Sequence, residues 1–138
     1  TGDRATTSPY GNIDPVFDIC ELAMAAGATF VARTTAFHAI ETQSIIKDAL
    51  EHKGFSVVEV VSSCPVIYGR LNKKGDGPEM MKYMRDNSVP LKATEKMTPE
   101  QLEGKIVRGI FKRVEKQEYC EAYAGLVAKF QNKEEAKK

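Results

Sequence analysis

No two cysteines in this 138-residue chain are spaced as CxxC. Cys20, Cys64 and Cys120 lie far apart and are odd in number. That leaves no strong metal signature in the chain by itself and argues against a secreted disulfide framework, so a reducing, cytoplasmic setting is expected. No apolar run approaches the ~20 residues a membrane-spanning helix needs, and no basic-then-apolar leader opens the chain. An excess of charge of one sign is also missing. With 20 Lys and Arg against 19 Asp and Glu, the net charge is +1, which gives no reason to expect nucleic acid or a membrane surface as partner. There is no internal repeat. No glycine-rich phosphate loop follows a strand directly, which ranks a flavodoxin-like nucleotide binder last among the readings.

What is present reads as one α/β domain over residues 1–131, followed by a charged tail, 132–138, expected to be solvated and frayed. Hydrophobic residues make up 42% of the chain, enough for a real core at this length. The organising stretch runs from Gly54 to Arg70. Val57, Val58, Val60 and Val61 leave only Glu59 to interrupt an apolar run, the pattern of a parallel strand buried on both faces. The run ends in Ser62-Ser63-Cys64-Pro65. Pro65 has no N–H to donate to a sheet, so Cys64 is expected on a loop just past the C-terminal end of the strand, the edge where open α/β sheets bind ligands.

The rest of the chain alternates helix and strand. Residues 1–12 are polar and turn-rich, and the true start of the domain is expected to lie upstream. Asp14-Pro15 reads as an N-cap and first helical residue, with Val16, Ile19, Leu22, Ala23 and Ala26 at helical spacing and Gly27 as a stop. A strand is predicted over 28–33. Thr34 and Thr35 could cap a helix running to about Lys53. After Cys64 come a loop, a short helix over 78–86, an irregular stretch over 88–98 with a capped turn at Thr98, a strand over 105–113 nearer an edge, and a last helix over 117–131. The outcome is a three-layer α/β arrangement with a mainly parallel sheet.

Several residues have competing readings. Cys64 is the best site candidate, against the alternative of a buried structural cysteine. Gly75-Asp76-Gly77 has the letters of a diphosphate motif, but no hydrophobic strand precedes it and Asn87 follows too soon, so a turn is expected. His52 sits near a helix C-terminus, where a cation is favoured. His38, near a helix start, reads as a solvated or core-rim histidine. Cys20 and Cys120 lie on apolar helix faces and are expected to pack.

Taken together, Tyr10-Gly11-Asn12-Ile13-Asp14-Pro15-Val16-Phe17-Asp18, the Ala26–Arg33 segment, the Lys53–Pro65 segment, and Tyr68-Gly69-Arg70 form an ordered series. This series resembles the β subunit of 2-oxoacid:ferredoxin oxidoreductases, closest to the 2-oxoglutarate type. The Gly104–Phe111 strand and the final helix fit the end of the same subunit. The resemblance implies the C-terminal half of that subunit, carrying part of the thiamin-diphosphate-binding fold. It implies oxidative decarboxylation of a 2-oxoacid with coenzyme A, with electrons leaving through iron–sulfur clusters to ferredoxin, and an α subunit as partner. It also implies that Cys64 is the fourth ligand of a four-iron four-sulfur cluster whose other ligands, like the motif for the diphosphate and Mg2+, lie in the other half. Neither cofactor is expected to bind these 138 residues alone, and they are expected to be inactive. A small α/β interaction module with Cys64 merely structural stays open beside this reading.

Overall fold

The computed structural model describes residues 2–135, with side chains described to Gln131. Its centre is β1 (Phe30–Thr35), whose side chains are buried except that of Arg33. Alternation along the strand sends its residues to two different layers. Val31 packs with Cys20, Ala28, Ala23, Met24, Val57 and Phe111 on the side of α1 (Ile19–Ala25). Phe30 and Ala32 pack with Ile45, Ala49, Val58 and Ile110 on the side of α2 (Ala39–Glu51). Two helices on opposite faces of one sheet make the three-layer arrangement that the alternating pattern predicts.

The sheet has four strands in the order β2-β1-β4-β3, with β2 (Ser56–Val61), β3 (Ser88–Pro90) and β4 (Ile106–Arg113). β1 runs parallel to β2 in the register Phe30 opposite Ser56 to Thr35 opposite Val61. β3 is parallel to β4, whereas β1 and β4 are antiparallel. The sheet is therefore mainly parallel. β1 and β4 also slip register between Val31 and Ala32, an irregularity of the kind a β-bulge introduces.

Three expectations about the sheet are corrected. The Val57–Val61 run, expected as a parallel strand buried on both faces, is parallel but not fully buried. It is an edge strand among the described residues, half-buried along most of its length, with Val60 42% exposed. Its valines do face two apolar layers, Val57 toward α1 and Val58 toward α2, so the run signals two covered faces; it says nothing about how many neighbours the strand has. The 105–113 strand, expected nearer an edge, lies inside the sheet between β1 and β3. Of its charged frame, Arg108 turns inward to pair with Glu41 of α2, while Arg113 stays exposed. The stretch read as irregular holds β3 and the short helix α5 (Leu91–Thr94). Three residues are too few to show a period.

Helix starts are also corrected. α1 opens at Ile19, with Asp18 as the N-cap accepting from the Glu21 amide at 2.9 Å; Asp14-Pro15 lies outside the helix. Thr34 and Thr35 belong to β1. Their buried hydroxyls are satisfied sideways, Thr34 with Thr42 at 3.0 Å and Thr35 with His38 Nδ1 at 2.8 Å, as buried polar groups must be. The α2–β2 turn depends on Gly54. It has φ +145°, and an added Cβ would meet Thr29 Oγ1 at 2.3 Å. That hydroxyl accepts from the Phe55 amide and meets His52 Nε2 at 2.9 Å. His52 thus ties the turn to β1.

Beyond β2, Cys64 leads into a single π-helical turn, Pro65–Gly69, continuing as α3 (Arg70–Asn72) where a loop was expected. α4 (Gly77–Asp86) buries Met80 and Met84. α6 (Pro99–Leu102) is the expected capped turn, with Thr98 and Gln101 forming the box. α7 (Tyr119–Glu135) is exposed along its described side chains. Cys120 is accordingly exposed and not packed. α7 carries the backbone into the expected tail as far as Glu135, and 136–138 lie outside the described residues. Among the described residues, no helix is long and apolar enough to cross a membrane.

Candidate functional site

The three thiols occupy opposite environments. Cys20 is 1% exposed in the α1 layer. Burial, followed by a hydrogen bond to Glu59, pushes its thiol up to about 12, so it stays protonated and donates to Glu59 Oε2 at 3.3 Å. Such a cysteine is chemically inert. Cys120 is exposed, and hydrogen bonding to Glu118 raises its thiol.

Cys64 is exposed and is lowered instead. The cause is local backbone. Cys64 is the N-cap residue of the π-turn and its side chain makes no capping hydrogen bond; the neighbouring amides of Tyr68, then those of Ile67 and Val66, favour the charged form. Pro65 at the first position of the turn has no amide to lose. The thiolate is the form of cysteine that binds metal and cluster iron. The strand exit, the proline and the turn together present an exposed thiol just past the C-terminal end of β2. Among the described residues no group of three or more His, Cys, Asp or Glu converges, so Cys64 would act as a single ligand. Its chemistry fits that role.

Beside Cys64 lies a cavity of about 250 Å³, bounded by Ser62, Ser63, Tyr68, Lys74 and Asp3 over Met80 and Met84. Ser62 and Ser63 follow the end of β2, so the cavity opens where a parallel sheet delivers its loops. Tyr68 donates to the Asp3 carboxylate. That bond is the main cause holding Asp3 below the ordinary carboxylate range, while burial, then Asp3, pushes Tyr68 up to about 12. Neither Asp3 nor Tyr68 stands out in the sequence by its own chemistry. Tyr68 is visible only within a family motif, and no spacing rule connects positions 65 apart.

A second polar cluster crosses the α1 layer. Arg33 Nε donates to Glu59 Oε2 at 2.6 Å and its Nη2 to Asp18 Oδ1 at 2.8 Å, with the guanidinium 5.4 Å from the Phe111 ring centre. Glu59, which interrupts the apolar run, is therefore the cross-strand partner of Arg33 in the β1–β2 register. The signal is visible as one charge in each of two adjacent strands, but the register is not.

The remaining candidates resolve as structure. Asp76 caps α4 in a reciprocal box with Glu79, so Gly75-Asp76-Gly77 forms the turn into α4, as expected. His38 is lowered by burial, then by Arg108, and its ring contacts Phe37 edge-on at 5.1 Å between ring centres. Both place it at the rim of α2.

Comparison with known proteins adds the following. The model of the C-terminal TPP-binding domain of thiamine pyrophosphate enzymes matches residues 1–60. The 2-oxoglutarate synthase subunit KorB of Methanocaldococcus jannaschii is 44% identical over 131 residues, covering 95% of this chain and 48% of that protein. KorB of Archaeoglobus fulgidus is 35% identical, with 96% and 48% covered. The 2-oxoacid:ferredoxin oxidoreductase β subunit of Saccharolobus solfataricus is 30% identical, with 83% and 36% covered. The chain spans about half the length of the KorB proteins it matches. Among solved structures, a 2-oxoglutarate:ferredoxin oxidoreductase from Magnetococcus marinus, with 2-oxoglutarate, coenzyme A and succinyl-CoA bound, superposes with TM-score 0.72 at 21% identity. The match covers 94% of this chain and 45% of that one, and establishes a shared fold.

Proposed function

Because this chain belongs to the β-subunit family of 2-oxoacid:ferredoxin oxidoreductases, we propose that it forms part of a cytoplasmic enzyme of that type. The enzyme would oxidatively decarboxylate a 2-oxoacid, 2-oxoglutarate by preference, to its acyl-CoA, passing electrons through iron–sulfur clusters to ferredoxin. An α subunit would complete the assembly. The preference for 2-oxoglutarate rests on the KorB relatives.

The observation that carries the proposal is the Cys64 turn. Cys64 is exposed just past the exit of β2, at the N-cap of the π-turn, where the nearby backbone amides lower its thiol. In the whole subunit it would be one thiolate ligand of a four-iron four-sulfur cluster, and the turn would supply the N–H groups that tune such sulfurs. Thiamin diphosphate, when bound, supplies the electron sink for decarboxylation. The anchor for the diphosphate and for Mg2+ would come from the other half of the subunit, and Asp76 caps α4. This chain's own work is to hold one wall of the site. Ser62, Ser63 and Tyr68 line the cavity beside Cys64, and the β1–β2 pairing keeps the strand exit rigid.

The test is Cys64→Ala in the complete enzyme, read by iron content and the low-temperature EPR signal of the reduced cluster. Loss of iron and of the signal with the fold retained is expected. Full iron and an unchanged signal would make Cys64 a structural residue.

A further inference from the structure

The two edges of the sheet are built differently. At one edge, β3 has three residues and ends in Pro90. A short strand with a proline is one way a sheet edge is blunted against further pairing. At the other edge, β2 has six residues, as many as β1, with no proline and no lysine. Its one charge, Glu59, pairs with Arg33 at 2.6 Å and does not guard the edge. β2 keeps its register with β1 from Ser56 to Val61, so no bulge turns it away. Val60 leaves an apolar side chain 42% exposed on this strand.

Two backbone bonds fix which groups of β2 are open. The Phe30 amide donates to the Phe55 carbonyl at 3.2 Å, and the Ala36 amide to the Val61 carbonyl at 2.9 Å. Backbone groups alternate sides along a strand. The odd-numbered residues of β2 therefore face β1, and Ser56, Val58 and Val60 turn their amides and carbonyls the other way. Among the described residues no strand lies on that side. An unblunted edge of this length is a template for a further strand. We propose that β2 is the docking edge for a strand from the rest of the β subunit. This rests on the reading of the chain as part of such a subunit. The chain spans about half the length of the KorB proteins it matches, so a comparable length of subunit is available to supply the strand. A strand of the same polypeptide also docks at a lower entropy cost than a second molecule. Pairing on both sides would hold the strand that carries Ser62, Ser63 and Cys64 out of the sheet, so the cavity wall beside Cys64 would be fixed only in the complete subunit.

The experiment uses the complete enzyme, and its first arm needs no variant. Hydrogen exchange is followed amide by amide along β2. The amides of Val58 and Val60 should exchange as slowly as those of Val57 and Glu59, which face β1. Exchange at Val58 and Val60 roughly a hundredfold faster than at their neighbours is the mark of an open edge, and it overturns the proposal. The second arm identifies the occupant. In Val60→benzoylphenylalanine, irradiation should crosslink β2 to a peptide of the same polypeptide outside these 138 residues, leaving the β subunit at its single-chain mass on a denaturing gel. A crosslink to a second β subunit or to the α subunit, seen as a heavier band, overturns the assignment of the strand to the same subunit. The exchange arm stands by itself if this variant does not assemble. Cys64→Ala separates the docking edge from the reading of the cysteine. If that variant loses its cluster while Val58 and Val60 are open in the parent, only the docking edge has failed; if it keeps its iron while they are protected, only the cysteine reading has.

Discussion

Replacing Arg33 by methionine tests what holds α1 and β2 to the central strand. Arg33 is 14% exposed at its side chain and Glu59 21%, so the guanidinium is a largely desolvated partner for a largely desolvated carboxylate. In Arg33→Met the thioether stem would retain the packing of the arginine stem but leave Glu59 with the Cys20 thiol, at 3.3 Å, as its remaining side-chain donor. Breaking a fully buried pair on one side costs about 3–5 kcal/mol, most of it the penalty of the orphaned charge. Glu59 keeps some solvent, so the expected loss is about 2–3 kcal/mol, with a further ~0.5 kcal/mol from the lost contact over Phe111. The double variant Arg33→Met/Glu59→Met should recover most of this and lie within about 1 kcal/mol of the parent, because the central pair then leaves no buried charge orphaned. Urea unfolding of the four proteins of this cycle, followed by circular dichroism, measures it. A single variant costing under ~1 kcal/mol, or a double variant no better than the single, would refute the account of a desolvated pair.

The same network sets a pH dependence. The hydrogen bond from Arg33, ahead of the Glu21 amide, holds the Asp18 carboxyl below its ordinary 3.8. A depressed carboxylate contributes stability that is present above the unfolded value and is lost as pH falls through the folded one. Unfolding midpoints should therefore drop below about pH 3.8, and the drop should be shallower in Arg33→Met; equal slopes would assign the acid loss to other groups. The two outlying cysteines should separate by burial. Cys20→Ala should cost about 1–2 kcal/mol through a small cavity and a lost donor to Glu59, while Cys120→Ala stays within about 0.5 kcal/mol. Thermal unfolding reads both, and a costly Cys120→Ala would mean that α7 is covered in solution.

Local rules already determined a good deal. The alternation of periods specified helices on both faces of a mainly parallel sheet, and the break from valines into Ser-Ser-Cys-Pro placed Cys64 at the strand exit, because a strand needs amides and Pro65 has none. The glycine at position 54 and the box at Thr98 are likewise short-range chemistry. Tertiary structure decided what depends on neighbours distant in sequence. β2 became an edge strand and β4 an inner one because sheet order is set by pairing, and side-chain pattern reports only which faces are covered. The exposure of Cys120 followed from α7 finding no layer to pack on among the described residues, although its apolar spacing was sound. The lowered thiol of Cys64 required a π-turn, which no propensity announces. Asp3 and Tyr68, 65 residues apart, meet only because the chain folds one segment onto the turn of another. Composition and period are properties of a stretch; register, sheet order and a polar clamp are properties of two stretches at once, and a single sequence specifies them only through the folded whole.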